Sequence, residues 1–295
     1  MSSLPKHSLY SRLTRRPAGW LLAPSLSVLI LFFILPTTIF FIYSFLISRY
    51  YRVTWIFTLE NYYRAFTTPV YLASMLNSLT IGILTAITTI LISYPFAYFL
   101  TFRMKRGRNL VLFLVVISLL GSYLIRVYAW KTILGREGVI NTLLITLGLI
   151  KEPLLFLLFS RFAVIVTLTH VFLPFTVLPI MSSMQNISVD LIESARDLGC
   201  NPFQAFLRVT LPLSSTGVLS GFAYTFILTS ADYITPQLVG GTSGGMIGLS
   251  ITNQFIKVGN LALGSALSFL LLILLVSFVA AVRGVARKVG MRPNP

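Results

Sequence analysis

Acidic side chains are scarce in this chain: 7 Asp and Glu stand against 23 Lys and Arg, and charged residues fill only 10% of 295 positions. A soluble domain carries roughly 25% charge, so this chain is too poor in it to cover a water-facing surface. Cysteine is nearly missing as well. The single Cys200 excludes an internal disulfide and a thiolate-based metal cluster. His7 and His170 lie far apart, and no metal site is expected from them. The chain has no G-x-x-x-x-G-K-[ST] phosphate loop, no H-E-x-x-H and no G-x-S-x-G. Without a carboxylate pair placed for acid–base work there is no catalytic constellation, so neither an enzyme nor a resident cofactor is expected. Basic residues do not interleave with aromatics as they do in single-strand-binding proteins, which argues against a nucleic-acid partner.

What the chain has instead is apolar length. Hydrophobic residues make up 56% of it, and the mean hydropathy is +0.87. Six stretches carry no charge: 17–48, 65–102, 109–125, 162–189, 209–231 and 258–282. A helix crossing a bilayer needs about 20 apolar residues (range ~17–25), so each stretch holds one span. The expectation is an all-α integral membrane protein of six transmembrane helices. The third stretch is the shortest and is expected to borrow residues beyond Arg126. Trp20 to Leu46 is too long for a signal core of about 7–15 residues and reads as a retained first span.

Basic clusters set the orientation. Lys6, Arg12, Arg15 and Arg16 precede span one, Arg103 to Arg108 link spans two and three, and Arg283, Arg287, Lys288 and Arg292 close the chain. The positive-inside rule makes all three cytoplasmic. This divides the chain into a basic cytoplasmic tail (1–19), a transmembrane domain (20–285) and a cytoplasmic C-terminal tail (286–295). The aromatics between Ser48 and Pro69 suit an interfacial belt. The region 124–160 is read as short helices at the outer face. Gly240, Gly241, Gly244 and Gly245 are read as a flexible outer loop.

One polar segment interrupts the apolar pattern, the cytoplasmic loop at about 188–212. Asp190 and Glu193 have capping-box spacing for a short helix, which Gly199 can end in the left-handed conformation. Asn201, Pro202 and Gln204 restart a helix as N-cap, first-turn proline and N3 partner, and Pro212 marks its exit. Two short helices around a glycine elbow have the shape of a docking surface; the bland alternative is an amphipathic loop. Glu193, Ala195, Gly199, Leu211 and Pro212 also fit the spacing E-A-A, three residues, G, nine residues, I-x-L-P, with Ser194 for the second Ala and Val209 for Ile. In this the segment resembles the "EAA" loop of permease subunits of bacterial ATP-binding-cassette (ABC) importers, of the type I kind.

That resemblance implies a permease of the bacterial inner membrane, multi-pass with both termini cytoplasmic. It implies four kinds of neighbour: a second homologous permease subunit, two ATP-binding-cassette ATPase subunits carrying ATP and Mg, a periplasmic substrate-binding protein, and the lipid bilayer. It assigns ATPase docking to Glu193, Ser194, Ala195, Asp197, Gly199, Asn201, Pro202, Leu211 and Pro212. A carboxylate capping a helix dipole is the plainer role for Glu193. Ile125 to Trp130, Leu134-Gly135, Gly138 to Asn141 and Asp232-Tyr-Ile-Thr-Pro236 resemble permeases of the spermidine/putrescine branch, which implies a polyamine. Relatives with similar segments carry opines or amino-acid derivatives. A stand-alone carrier or channel needs internal ion-coupling charges, and only Asp232 offers one. Asp232, with Tyr233 beside it, and His170 are pathway candidates. Their alternatives are outer water for Asp232 and a helix-bridging hydrogen bond for His170.

Overall fold

The computed structural model describes residues 19–104 and 106–288; residues 1–18, Lys105 and 289–295 lie outside them. The first apolar helix, α1, has two pieces, Gly19–Leu29 and Leu35–Tyr43, joined by a π-helical turn at Ile30–Ile34. A hairpin of β1 (Ile47–Arg49) and β2 (Arg52–Thr54) follows, then α2 (Glu60–Thr67). α3 (Pro69–Tyr98) continues as a π segment through Arg103. Next come α4 (Arg108–Leu120), α5 (Tyr123–Leu134), α6 (Val139–Thr146) and the long α7 (Arg161–Gln185). The elbow comprises α8 (Val189–Asp197) and α9, which starts at Pro202–Ala205 and passes through a π segment at Phe206–Thr210 into Leu211–Leu213. α10 (Ser215–Ser230), α11 (Ile247–Thr252) and α12 (Leu261–Lys288) complete the chain.

Among the described residues, four helical stretches are long and apolar enough to cross a membrane: Leu22–Tyr43, Pro69–Arg103, Arg161–Gln185 and Leu261–Lys288. Two bent pairs raise the number to six if each is one span. The third span, expected to borrow residues beyond Arg126, is a bent pair and not one continuous helix. α4 stops after 13 residues, roughly 20 Å of helix against a hydrocarbon core of about 30 Å. The chain then turns by 95° into α5. Gly121 and Ser122, both non-helical, make that corner. α9 and α10 meet at 63°, with the break at Ser214, beyond Pro212 rather than at it.

Proline explains two of the widened turns. The π segments at Ile30–Ile34 and Phe206–Thr210 each end two residues before a proline, Pro36 and Pro212. A proline in a helix withholds one N–H and presses on the carbonyl four residues back, and a widened turn relieves both.

α3, α7 and α10 form the core, and small residues set their spacing. A Cβ on Gly82 would strike Ser230, and one on Gly217 would lie 2.5 Å from the Pro179 carbonyl. With no hydrophobic drive between helices in lipid, such close backbone approach and interhelical hydroxyls supply cohesion. Thr176 and Thr225 share a 2.6 Å hydrogen bond between α7 and α10, and the Ser230 hydroxyl donates to the Ser78 carbonyl of α3 at 3.2 Å.

The end of the bundle opposite the elbow is tied together by bonds between residues far apart in sequence. Asn77 donates to the Ser243 and Gly245 carbonyls at 3.1 and 3.0 Å, and Arg161 donates to Ser243 at 3.0 Å. These bonds tie the glycine cluster to α3 and α7, with Gly244 buried and Gly241 exposed. The hairpin turn is also held from outside. Tyr50 and Tyr51 have φ of 46° and 64°, a left-handed pair that usually requires Asn or Gly. Tyr51 is fixed there by donating its N–H to the Gly259 carbonyl at 2.7 Å and its hydroxyl to the Ile256 carbonyl at 2.6 Å.

Candidate functional site

The elbow is built by local chemistry. Ser188, not Asp190, is the N-cap of α8: its hydroxyl accepts the Asp190 N–H at 3.2 Å and donates to the Asp190 carboxylate at 3.2 Å. Asp190 is the second residue of the helix, in the first turn, where its charge suits the helix dipole. At the other end Gly199 has φ of +90°. Its N–H donates to the Arg196 carbonyl at 2.9 Å, and the Cys200 N–H donates to the Ala195 carbonyl at 3.1 Å. These are the two bonds of a Schellman stop, so Ala195 and Gly199 act as one device. A Cβ on Gly199 would meet nothing within 4 Å; the constraint is its backbone angle alone.

α9 restarts as expected. Asn201 Oδ1 accepts the Gln204 N–H at 2.8 Å, Gln204 Oε1 accepts the Asn201 N–H at 3.1 Å, and Pro202 occupies the first turn. From there α9 is anchored. The Phe206 ring meets Tyr94 edge-on at 5.6 Å and Tyr98 at 6.0 Å, both on α3. Tyr94 shares a 2.8 Å hydrogen bond with Ser214 at the α9–α10 break. Ala205 and Thr210 are buried.

α8 is the opposite case: none of its nine residues is buried. Glu193, Ser194, Asp197 and Gly199 are exposed. Apolar side chains project beside them, Leu198 at 87% exposure and Phe203 at 67%, with Leu191 and Val189 also exposed. An exposed apolar group rimmed by charge is the signature of a protein contact. Between the two helices lies an open cavity of about 510 Å³ lined by Glu193, Arg196, Asp197, Cys200 and Pro202. Leu211 and Pro212 are exposed further along α9.

The pathway candidates sit at the far end. Asp232 caps the turns after α10, accepting the Ile234 N–H at 3.2 Å and the Thr235 N–H at 3.1 Å. Tyr233 is exposed. His170 is exposed on α7, its ring 5.8 Å from that of Trp130. Two residues not singled out from the sequence, Tyr123 and Arg126 of α5, lie between them. The Tyr123 hydroxyl shares a 2.8 Å hydrogen bond with Thr235, and Arg126 donates to the carbonyls of Val171 and Gly121, both at 3.3 Å. The Arg126 Nε is buried without a hydrogen-bond partner. α5 thereby places Tyr123 at the turn that Asp232 caps and Arg126 against the backbone next to His170. Arg126 was legible as a lone charge between apolar runs.

Residues 65–290 match the family described as the binding-protein-dependent transport system inner membrane component. The chain belongs to that family. Among relatives of this inner membrane component, the spermidine/putrescine transport system permease protein PotB of Haemophilus influenzae is 36% identical over 252 residues, covering 84% of this chain and 87% of that protein. PotB of Escherichia coli K12 is 34% identical over 76% of this chain and 80% of that protein. The inner membrane ABC transporter permease protein YdcU of E. coli K12 is 31% identical over 77% and 75%. A chain of a bacterial alginate ABC transporter, solved with an alginate-bound periplasmic protein, superposes with TM-score 0.73 over 95% of this component and 98% of that chain, at 17% identity. A chain of the MetNI methionine ABC transporter gives 0.56 over 74% and 95%, at 18% identity. The fold is that of an ABC importer transmembrane domain, as the spacing around Glu193 implied.

Proposed function

We propose that this permease component forms half of the translocation pathway of an ATP-driven importer and that its solute is a polyamine, spermidine or putrescine. The 36% identity over 84% of the chain to a spermidine/putrescine permease carries the choice of solute. A second permease subunit completes the pathway, two ATPase subunits hydrolyse ATP, and a periplasmic binding protein delivers the solute. The elbow receives the ATPase: Leu198, Phe203 and the Glu193–Asp197 surface supply an unpartnered contact area, and α9 passes its displacement to α3 and α10. Closure of the ATPase then biases the two arrangements of the spans, as any ligand with unequal affinity for two states must. At the far end, Asp232 supplies negative charge toward a cation, and Coulomb attraction rises as the local dielectric constant falls. ATP and Mg belong to the ATPase subunits in this reading.

Proteoliposomes holding the complete complex test the solute. Spermidine presented on the binding protein should be accumulated and should raise ATP hydrolysis. Accumulation of an opine with no response to spermidine would retain the importer class and overturn the polyamine. Both termini and the Arg103–Asn109 link are proposed as cytoplasmic from the basic clusters. A cysteine placed at Arg106 that labels from the periplasmic side contradicts that orientation.

A further inference from the structure

α10 and α12 are packed along only part of their length. The Phe226 and Phe278 rings lie 4.5 Å apart, with Phe222 6.5 Å from Phe278, and beside this contact the helices leave a gap that reaches the elbow-side end of α12. The gap is a wedge-shaped cavity of about 540 Å³. It adjoins a smaller one of about 250 Å³ beside Thr216 and Leu219. The long wall of the wedge is apolar, with Ala223 and Ile227 from α10 facing Val276, Val279 and Ala280 from α12. Its elbow-side end is basic. Arg283 and Arg287, one helical turn apart on the same face of α12, border both cavities, and Ser220 lines both with them. Among the described residues, no acidic side chain lines either cavity. The outer rim merges with bare apolar helix, since Leu272, Ile273 and Val276 are exposed.

We propose that this wedge binds an anionic phospholipid from the leaflet on the elbow side, with its phosphate at Arg283 and Arg287 and an acyl chain along the apolar wall. Charge complementarity and shape argue together. A basic pocket between membrane helices attracts an anionic headgroup, and guanidinium pairs suit phosphate oxygens. A free phosphate satisfies the arginines but leaves the apolar wall empty, whereas a lipid fills both parts. The position has a consequence for coupling. α10 continues directly from the elbow, so a lipid in the wedge sets its distance from α12 at the end where the elbow pulls on it.

Native mass spectrometry of the complete transporter complex tests the site, with phosphatidylglycerol and phosphatidylethanolamine as probes. The wild type should retain phosphatidylglycerol with about a 30-fold preference, the attraction expected of two arginines near a leaflet surface. Arg283→Gln with Arg287→Gln should bring the two lipids near parity. Ala280→Trp fills the wedge from an exposed position and leaves both arginines in place, so it should expel the lipid while the complex stays assembled. Equal retention of both lipids by the wild type overturns the proposal. So does an unchanged preference in Ala280→Trp, which would place the lipid on the open surface. Displacement by millimolar inorganic phosphate would assign the arginines to a soluble anion instead. A wild-type complex without retained lipid, together with an Ala280→Trp chain that no longer co-purifies with the second permease subunit, would make the wedge a subunit interface.

Discussion

The two helices of the elbow are similar in chemistry and opposite in attachment. α8 is closed at both ends by its own neighbours, Ser188 and Gly199, and buries no residue. α9 is closed by Asn201 and then tied to the bundle through Phe206, Tyr94 and Ser214. A helix that buries none of its residues and lies only against its neighbour α9 presents surface; a helix held by aromatic packing transmits displacement. The elbow therefore divides its work, with α8 and the Leu198–Phe203 turn making contact and α9 acting as the lever.

Breaking the lever should have the largest effect. Phe206→Ala removes a half-buried ring whose full burial would be worth about 3–5 kcal/mol, so a loss near ~2 kcal/mol is expected at the α9 anchor. ATPase subunits should still co-purify and hydrolyse ATP, while solute uptake falls to a small fraction. Uptake and hydrolysis measured on the same proteoliposomes check this, and proportional loss of both would remove the lever. Gly199→Leu strikes the joint instead. A left-handed angle costs a side-chain-bearing residue roughly 1–2 kcal/mol, and the surrounding space is open, so the chain should insert normally while α8 loses its orientation. ATPase co-purification should fall, and an undiminished yield of assembled complex would refute the joint.

Leu198→Ser sharpens the contact side. A substitution at so exposed a position changes stability by less than about 0.5 kcal/mol. Thermal unfolding of the isolated permease should not move, whereas ATPase binding should weaken several-fold. Equal binding would place the contact elsewhere on α8. Asp232→Asn at the far end should be the mildest. The amide oxygen can still accept one N–H of the following turn, so assembly and basal hydrolysis should persist. The half-saturation for a polyamine should rise a few-fold, and an unchanged value would limit Asp232 to its capping role.

Local interactions were the legible ones. Asn201 and Gln204 are three residues apart, and the Gly199 stop involves only Ala195, Arg196 and Cys200, so spacing along the chain contains the whole structure. The start of α8 was misread by two residues because an acid at Asp190 imitates a cap that Ser188 provides. Hydropathy located the long spans but weighs apolar residues without regard to direction, and so missed the corner at Gly121 and Ser122. The far end was illegible for a different reason. Asn77 reaches Ser243 across 166 positions, and Tyr51 reaches Ile256 across 205. Such bonds hold a glycine cluster and a two-tyrosine turn in conformations that their own sequence does not advertise. Arg126 was visible as an isolated charge, but its place between His170 and Asp232 depends on the 95° bend.

The chain itself carries the probe for its central claim, that the elbow is where the ATPase docks. Cys200 is its only cysteine, half-buried at the joint of α8 and α9, and lines the cavity beside Glu193 and Asp197. Its rate of modification by a water-soluble maleimide should be measured by mass spectrometry in the permease subunits alone and in the complex assembled with ATPase subunits. Docking at the elbow predicts clear protection of Cys200 in the assembled complex, restored to the free rate when the ATPase is stripped away. Equal rates in both states, with the ATPase demonstrably bound, would contradict it.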